Sequence, residues 1–347
     1  MIIVTGASGF VGSYLVDQLI KEDFDVLAIG RNDVDKINFA KKGIEFSKID
    51  ITRESDFNKL PKKGVEAVVH LAGLLSIDIW SPKDYFMTNT VGTRNVMDYC
   101  QKNDVPKAIY SMTHSDVNRA NETIITENTP QNFAGARGYS RSYIISKIAG
   151  REFVDCYSRE YGISGISLRL PGIRGFGARF VSFWKGEPKI SASQIFIQRS
   201  LKGLPIEVWG NNNIVRDLVY IKDITSGIIN AINCKNASGS YNLGSGTGIT
   251  IEDEVKAIIK AFSPPDKTSK IIYRPDHDLL ENRSYIFDIS KAKNELGYSP
   301  KYTYEEAMND YKAEMGIGRY NHLILNQENI LKKRSGKNLK QMGVNFE

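Results

Sequence analysis

A tyrosine and a lysine stand four residues apart in RSYIISK, residues 141–147, as Tyr143 and Lys147. If this segment is helical, both side chains lie on one face, one turn apart, and can enter one cleft. A nearby ammonium favours the phenolate, so the pKa of the tyrosine falls from about 10 toward the range of a general base. Because this spacing also arises often by chance, its meaning depends on the residues that accompany the pair.

A hydroxyl side chain, Thr113, lies upstream in YSMTHS, residues 110–115. The apolar run before it predicts a strand, and open α/β sheets bind their ligands at the carboxyl ends of strands. At that edge Thr113 could donate a hydrogen bond to the same substrate oxygen that Tyr143 deprotonates. Thr113, Tyr143 and Lys147 are therefore the candidate catalytic residues.

The glycine-rich segment VTGASGFVG, residues 4–12, predicts a phosphate-binding loop between a strand and a helix. Glycine allows a tight turn and a close approach to a pyrophosphate, whose charge is stabilised by the N–H groups and dipole of the helix. The spacing is GxxGxxG and differs from the common GxGxxG. The cofactor-binding residues predicted here are Gly6, Ser8, Gly9, Phe10, Val11 and Gly12.

The segment AIGRN, at the end of the second predicted strand, bears on which dinucleotide is bound. An acid at this point binds the adenosine ribose hydroxyls, whereas a base suits a 2′-phosphate. Gly30 supplies no carboxylate and Arg31 supplies positive charge, which favours NADP, although Arg31 could also be a solvated loop residue. Asp50 could cap a helix before Thr52 or accept a hydrogen bond from the adenine amino group.

Short apolar runs alternate with longer amphipathic stretches from Met1 to about Leu170. This rhythm predicts an α/β fold with a Rossmann-like doubly wound parallel sheet. Beyond Leu170 the pattern is irregular. We therefore expect a dinucleotide-binding domain at 1–170, to which some later segments return, a smaller mixed α/β substrate lobe at 171–315, and a basic C-terminal extension at 316–347.

The composition bounds the class of protein. With 41% hydrophobic and 25% charged residues the chain suits a globular protein, and no apolar run approaches the roughly 18 residues of a membrane helix. The first residues do not resemble a signal peptide, and three isolated cysteines predict reduced thiols, so we expect a cytoplasmic protein without a metal site. The net charge of +6 includes a basic cluster at 331–340, which we expect to be a solvated end and not a nucleic-acid site.

The glycine loop, the strand-end threonine and the Tyr-xxx-Lys pair, in this order, resemble the short-chain dehydrogenase/reductase superfamily. Further segments are similar to its extended branch, the NAD(P)-dependent nucleotide-sugar epimerase/dehydratase family. The similarity covers residues 1 to about 315 and includes HLAG at 70–73, NTVGT at 89–93, LRLPG at 168–172, RDLVYIKDI at 216–224, YNLGSG at 241–246 and ELGYSP at 295–300.

This resemblance implies an enzyme that binds NAD(P)(H) and a nucleotide-diphosphate sugar. Thr113, Tyr143 and Lys147 would be its catalytic triad, and Tyr143 would remove the C4 hydroxyl proton as hydride leaves for the nicotinamide, which gives a 4-ketose. Asn89 would order the active-site helix. Arg216 and Arg274 would meet the substrate diphosphate, although either could be a surface arginine. The other cofactor contacts implied are Arg31, Asp50, Ile51, Leu71, Ala72, Gly73, Asn89, Tyr143 and Lys147.

Departures from the family pattern narrow the reaction. Related dehydratases carry an acid directly after the catalytic threonine, where this chain has His114 and Ser115, so a 4,6-dehydratase is disfavoured. Related decarboxylases, which keep a glutamate in place of Ser115, are disfavoured as well. Gly172 stands where an asparagine is usual, and the insertion at residues 179–193 is long and aromatic, which leaves the nucleotide and the sugar open.

Three functions stay open at this point. The first is a 4-epimerase, in which the ketose rotates and takes hydride back on its other face. The second is an NADPH-dependent nucleotide-4-keto-sugar reductase, which Gly30 and Arg31 favour. The third is a non-enzymatic nucleotide sensor or assembly subunit, which the retained Tyr143 and Lys147 oppose. The resemblance also implies a homodimer formed by the helices that bear Asn89 and Tyr143.

Overall fold

The structure is a computed structural model that describes residues 1–76, 80–117, 120–134, 136, 139–184, 186–277 and 283–346. Its strands are β1 (Ile2–Thr5), β2 (Val26–Gly30), β3 (Glu45–Lys48), β4 (Ala67–His70), β5 (Lys107–Thr113), β6 (Ile124–Ile125), β7 (Ser164–Leu170), β8 (Gly172–Arg174), β9 (Val181–Trp184), β10 (Glu187–Ile190), β11 (Ile206–Trp209), β12 (Val215–Arg216), β13 (Leu218–Tyr220), β14 (Gly239–Asn242), β15 (Ile249–Thr250), β16 (Ile271–Arg274) and β17 (Ile286–Phe287). Its helices are α1 (Phe10–Lys21), α2 (Asp33–Ala40), α3 (Pro82–Tyr85), α4 (Gly92–Lys102), α5 (Tyr139–Tyr161), α6 (Ala192–Leu201), α7 (Ile221–Asn233), α8 (Ile251–Phe262), α9 (Ser290–Leu296), α10 (Tyr304–Ile317) and α11 (Asn321–Ser335). A π-helical turn, Phe86–Val91, joins α3 to α4, and 3-10 turns cover Glu54–Lys59, His114–Val117 and Lys340–Met342.

Seven parallel strands form the central sheet in the order β14-β7-β5-β4-β1-β2-β3. The chain runs outward from β1 to β3 and then resumes at β4 on the other side of β1, so the topological switch point lies between β1 and β4. The β1 and β4 sequences, IIVT and AVVH, are buried throughout because helices cover both faces of the sheet. The predicted doubly wound parallel sheet is confirmed.

Alternate residues of β1 enter opposite cores. Ile2 and Val4 pack in one core with Leu15 of α1 and Ile228 of α7. Ile3 packs in the other core, which includes residues of α4 and α5. Because successive strand residues point to opposite faces, one short apolar run supplies both layers. This arrangement places α5 against the face of the sheet next to β5.

Later segments return to this sheet. β14 is the edge strand of the sheet and pairs with β7, and α7 packs against α1. Lys107, buried at the start of β5, donates hydrogen bonds to the carbonyls of Ala231, Ile232 and Cys234 at the end of α7. The last carbonyls of a helix have no hydrogen-bond partners within the helix. The buried Lys107 ammonium therefore satisfies these carbonyls and anchors α7.

A smaller lobe forms around α6, α8 and α10, with the antiparallel hairpin β9–β10 and the pairs β11–β16, β12–β15 and β8–β13. Its core includes Phe196, Ile258 and Met308. Helix α11 and the chain after it lie on the same core, where Leu331 and Leu339 are buried. The expectation of a solvated end at 331–340 is therefore wrong for the apolar side of this segment. None of the described helices is both long and apolar enough to cross a membrane.

Candidate active site

The three candidate catalytic residues come together at the carboxyl edge of the sheet. Thr113 is the last residue of β5, and α5 carries Tyr143 and Lys147 one turn apart. All three side chains are buried, and the Thr113 hydroxyl lies close enough to the Tyr143 phenol to lower its pKa. The helix predicted from RSYIISK is confirmed.

Burial opposes the charged form of both residues on α5. It raises the pKa of the Tyr143 phenol; the nearby Thr113 hydroxyl lowers this pKa, and the Asp116 carboxylate raises it further. Burial also lowers the pKa of the Lys147 ammonium to about 7, and no carboxylate among the described residues offsets that shift. The Lys147 Nζ atom lies 4.2 Å from the centroid of the Tyr110 ring. A ligand that presents oxygen atoms to Lys147 would therefore favour its charged form.

Asn89 connects the loop after β4 to the catalytic helix. It lies in the π-helical turn, and its Oδ1 atom accepts a hydrogen bond from the Leu74 N–H at 2.8 Å. Its Nδ2 atom donates to the Leu74 carbonyl at 3.1 Å and to the Ser146 hydroxyl of α5 at 3.0 Å. Single-turn π bulges are frequent at functional sites because they redirect a side chain. Asn89 therefore sets the position of α5 relative to the loop.

His70, a residue that the sequence analysis did not single out, supports the same loop. Its Nδ1 atom lies 2.7 Å from the Thr5 hydroxyl, and its Nε2 atom lies 3.0 Å from the Thr93 hydroxyl. The Thr5 hydroxyl in turn accepts a hydrogen bond from the Ala72 N–H at 3.2 Å. Burial, and then the charge of Lys147, lower the pKa of His70 to about 3, so the ring is neutral and structural.

The glycine loop is shaped for close approach of a phosphate. A Cβ atom at Gly6, which has φ +67°, would lie 2.7 Å from the Ala72 nitrogen, and one at Gly12 would lie 2.2 Å from the Gly6 carbonyl oxygen. Gly9 begins α1 without a side-chain cap, so the first N–H groups of the helix, at Phe10 and Val11, can bind an anion. These residues fit a dinucleotide pyrophosphate.

A groove runs from this loop to the end of β2. Predicted residues that line it are Gly6, Ser8, Gly9, Arg31, Asp50, Ile51, Leu71, Ala72 and Gly73. Lys147 lies beside Gly73, at the other end of this groove. A Cβ atom built on Gly73 would lie 3.7 Å from Lys147 Nζ and 3.1 Å from Asn89 Oδ1. Lys147 therefore lies next to the groove that the predicted cofactor residues line.

The acid that appeared to be missing from the end of β2 comes from α2. Asp35 is buried in the same groove, and its Oδ2 atom accepts a hydrogen bond from the Ser8 hydroxyl at 2.9 Å. A Cβ atom at Gly30 would lie 3.1 Å from that oxygen, so Gly30 leaves the space that the carboxylate enters. Asp50 caps its own turn, accepting from the Thr52 N–H and hydroxyl at 3.0 and 2.8 Å.

A second pocket, in the smaller lobe, contains three arginines: Arg174, Arg179 and Arg216. Arg216 was predicted, whereas Arg174 and Arg179 lie in the segment GIRGFGARF, residues 172–180, to which no role was assigned from the sequence. Arg174 is held by the Glu254 carboxylate at 3.1 Å. Arg274 is not part of the described lining of this pocket; its guanidinium pairs with Glu207 at 3.3 Å.

The residues after Thr113 are engaged by the protein. His114 Nδ1 lies 3.0 Å from the Leu170 carbonyl oxygen, and its ring packs near Tyr285 and Phe287. Asp116, fully buried and absent from the predicted site, forms an ion pair with Arg169 at 2.9 Å. The sequence signal that could have identified Asp116 is the presence of an acid three residues after the candidate catalytic threonine, Thr113.

We expect Lys147→Met to stabilise the cofactor-free protein while abolishing activity, because it removes a buried charge. The wild type bears this cost fully below the folded pKa of about 7 and loses it as the pH rises toward the unfolded value of 10.5. Urea denaturation should give the variant an advantage of about 3 kcal/mol near neutral pH, smaller by about 2 kcal/mol near pH 9. The exposed Lys235→Met is the control. An advantage that does not change with pH would contradict the burial argument.

Comparison with known proteins agrees with this geometry. Residues 2–244 match the family described as the NAD dependent epimerase/dehydratase family. A Methanocaldococcus jannaschii protein named provisionally as a UDP-glucose 4-epimerase is 29% identical, covering 89% of this chain and 96% of that protein. The dTDP-glucose 4,6-dehydratase of Haemophilus influenzae is 25% identical, covering 88% and 95%. The structure of the Thermotoga maritima UDP-glucose 4-epimerase with UDP-glucose superposes with a TM-score of 0.73 at 25% identity, covering 93% and 99%. The chain belongs to the NAD dependent epimerase/dehydratase family.

Proposed function

We propose that this protein is a nucleotide-sugar 4-epimerase that uses a bound nicotinamide dinucleotide. The proposal is carried by the convergence of Thr113, Tyr143 and Lys147 with the glycine loop at one edge of the sheet. UDP-hexoses are the first substrates to test, because the similar Thermotoga maritima protein is a UDP-glucose 4-epimerase. When bound, the nicotinamide supplies the hydride acceptor and donor at sugar C4.

Each side chain has a defined task in this reaction. Tyr143, as the phenolate, accepts the proton of the C4 hydroxyl and returns it when the ketone is reduced. Thr113 is hydrogen-bonded to the same oxygen during both the oxidation and the reduction. Lys147, charged when ligand oxygens surround it, favours ionised Tyr143. In the smaller lobe, Arg174 and Arg216 offer positive charge to the substrate diphosphate.

The surroundings of Thr113 disfavour dehydration. Elimination of water across C5 and C6 needs an acid and a base beside the reacting carbons. His114 is held at the Leu170 carbonyl and Asp116 is paired with Arg169, so the two ionisable side chains of the turn after Thr113 already contact the protein. Although the family includes dehydratases, these contacts favour epimerisation for this chain.

The central test is to incubate the purified protein with UDP-sugars without added cofactor and to resolve the products by chromatography. We expect a 4-epimer with no lasting absorbance at about 340 nm, the reduced-nicotinamide band. Tyr143→Phe should lower kcat by about 100-fold or more, because it removes the general base. Tyr161→Phe, exposed on the same helix, is the matched control. Full activity of Tyr143→Phe would exclude the mechanism.

A second candidate is a 4-keto-sugar reductase that consumes NADPH. It is favoured by a basic outer groove beside the adenosine end, lined among others by Arg31, Lys36 and Arg53, which would suit a 2′-phosphate. In the same assay a reductase would be silent until NADPH and a 4-keto sugar are supplied. The two functions therefore differ in whether the cofactor is used up.

We further propose that the cofactor is NAD(H), although Arg31 by itself predicts NADP. The Asp35 carboxylate, hydrogen-bonded to Ser8 and facing Gly30, lies where the groove would hold the adenosine ribose. A carboxylate accepts from a ribose 2′-hydroxyl and repels a 2′-phosphate. Because Asp35 is buried and Arg31 is exposed, the repulsion is screened less than the attraction.

Asp35→Asn should shift binding toward NADP. The amide keeps the shape and can still accept from Ser8, but removes the negative charge, so the NAD-to-NADP preference should fall by about tenfold. Calorimetric titration of the cofactor-free protein with each dinucleotide measures the ratio. Asp266→Asn, at an exposed aspartate that is not among the described residues lining either groove, should leave it unchanged. A wild type that binds NADP more tightly than NAD would instead support the Arg31 prediction.

We propose a homodimer formed through the π-helical turn with α4 and through α5. Phe86, Met87 and Ile145 are 50%, 36% and 46% exposed on these elements, an unusual amount of apolar surface for a helix pair.

We also propose the predicted division into a dinucleotide-binding domain, a substrate lobe and a C-terminal extension. A cytoplasmic location stays a prediction; the three cysteines are free thiols.

Ile145→Glu should dissociate this dimer by placing a charge in its apolar centre. Sedimentation should show a dimer constant weakened by at least about tenfold. Ile37→Glu, at an apolar residue that is 58% exposed on α2, serves as the control. Equal association of the two variants would place the interface elsewhere.

A further inference from the structure

The C-terminal extension, residues 318–346, is anchored on the dinucleotide-binding side of the molecule. The Tyr320 ring stacks on Tyr14 of α1, with centroids 3.7 Å apart and an interplanar angle of 17°. Two residues later, His322 Nε2 lies 3.0 Å from the Ser13 hydroxyl. Both contacts are on α1, the helix that follows the glycine loop, so α11 begins against the cofactor-binding element.

The middle of α11 holds the loop that lines the arginine pocket. Gln327 Oε1 accepts a hydrogen bond from the Phe180 N–H at 3.0 Å, and its Nε2 atom donates to the Gly177 and Ala178 carbonyls, both at 3.3 Å. Leu323 packs directly against Gly177, because a Cβ atom built on Gly177 would lie 2.5 Å from Leu323 Cδ1. Backbone groups of a loop need partners when buried, and α11 supplies them. The pocket lining at Ala178 and Phe180 therefore depends on the extension.

The end of α11 joins the two sides of the cleft. The guanidinium carbon of Arg334 lies 4.7 Å from the centroid of the Trp80 ring and 5.9 Å from that of Phe183. Trp80 packs against the apolar cluster that contains Tyr143, whereas Phe183 belongs to the β9–β10 hairpin of the smaller lobe. A cation between two aromatic rings attracts both through their negative faces. Arg334 thus connects the catalytic side to the substrate side.

We infer that residues 318–346 form a strap that keeps the cleft closed while the oxidised sugar is inside, with Arg334 as its positioning residue. The inference rests on the proposed epimerase function. In that reaction a proton leaves the C4 hydroxyl and a hydride leaves C4, and the ketose must turn before the hydride returns to its other face. If the ketose escapes instead, the two electrons stay on the enzyme as reduced nicotinamide. Retention of the ketose therefore determines how many turnovers end in epimer.

The test uses the full-length holoenzyme with UDP-glucose. Wild-type formation of the 4-epimer is scored first, because its absence would remove the proposed function and the strap with it. The ketose that escapes is then trapped with borodeuteride and counted by mass spectrometry, alongside the absorbance at about 340 nm. Arg334→Ala should raise the share of turnovers that release ketose by about tenfold.

Matched variants separate retention from general damage to the fold. Arg334→Lys keeps a cation over the rings and should restore most of the retention. Trp80→Leu should release ketose as Arg334→Ala does, with no further increase in the double variant. Lys337→Ala, which removes a surface ion pair with Glu187 from the same extension, should behave as the wild type. Equal ketose release by wild type, Arg334→Ala and Trp80→Leu would overturn the inference.

Discussion

The site depends on the contact between two backbone turns, the glycine loop after β1 and the loop after β4. Their separation leaves no room for a side chain at Gly6, whose Cβ atom would lie 2.7 Å from the Ala72 nitrogen. Thr5, His70 and Thr93 hold the second loop in place from below with a chain of hydrogen bonds. Because β1 and β4 are neighbouring parallel strands, both turns project from the same edge. The pyrophosphate end and the catalytic end of the groove are positioned by this one contact.

Tyr143 and Lys147, the candidate catalytic pair, lie where the protein alone disfavours their charged forms. Burial lowers the pKa of Lys147 and raises the pKa of Tyr143, and oxygen atoms of a ligand beside Lys147 would favour its charged form. The polar groups that hold α5 in place lie on its inner side, at Asn89 and Ser146, and do not neutralise the lysine. Stability is thus sacrificed locally at the site where the chemistry occurs.

The smaller lobe and the extension share one core. The arginine pocket comes from a loop whose backbone is held by Gln327, and the far end of α11 reaches Trp80 across the cleft. Charge alone does not describe residues 331–340: their cations face outward or stack on rings while Leu331 and Leu339 enter the core. A segment of basic composition is here a structural part of the smaller lobe.

Much of this protein was determined by short-range sequence features. The alternation of apolar runs and amphipathic stretches gave the parallel sheet, and the glycine spacing gave the phosphate loop, because both reflect interactions among residues close in the chain. The i, i+4 relation of Tyr143 and Lys147 is a property of one helix, and Thr113 follows from the end of one strand. Only the tertiary structure placed Asp35 in the space that Gly30 leaves, brought Arg174 and not Arg274 into the pocket, and laid α11 over the cleft. These contacts join residues from separate elements, and their geometry depends on how the elements pack, which local periodicity does not encode.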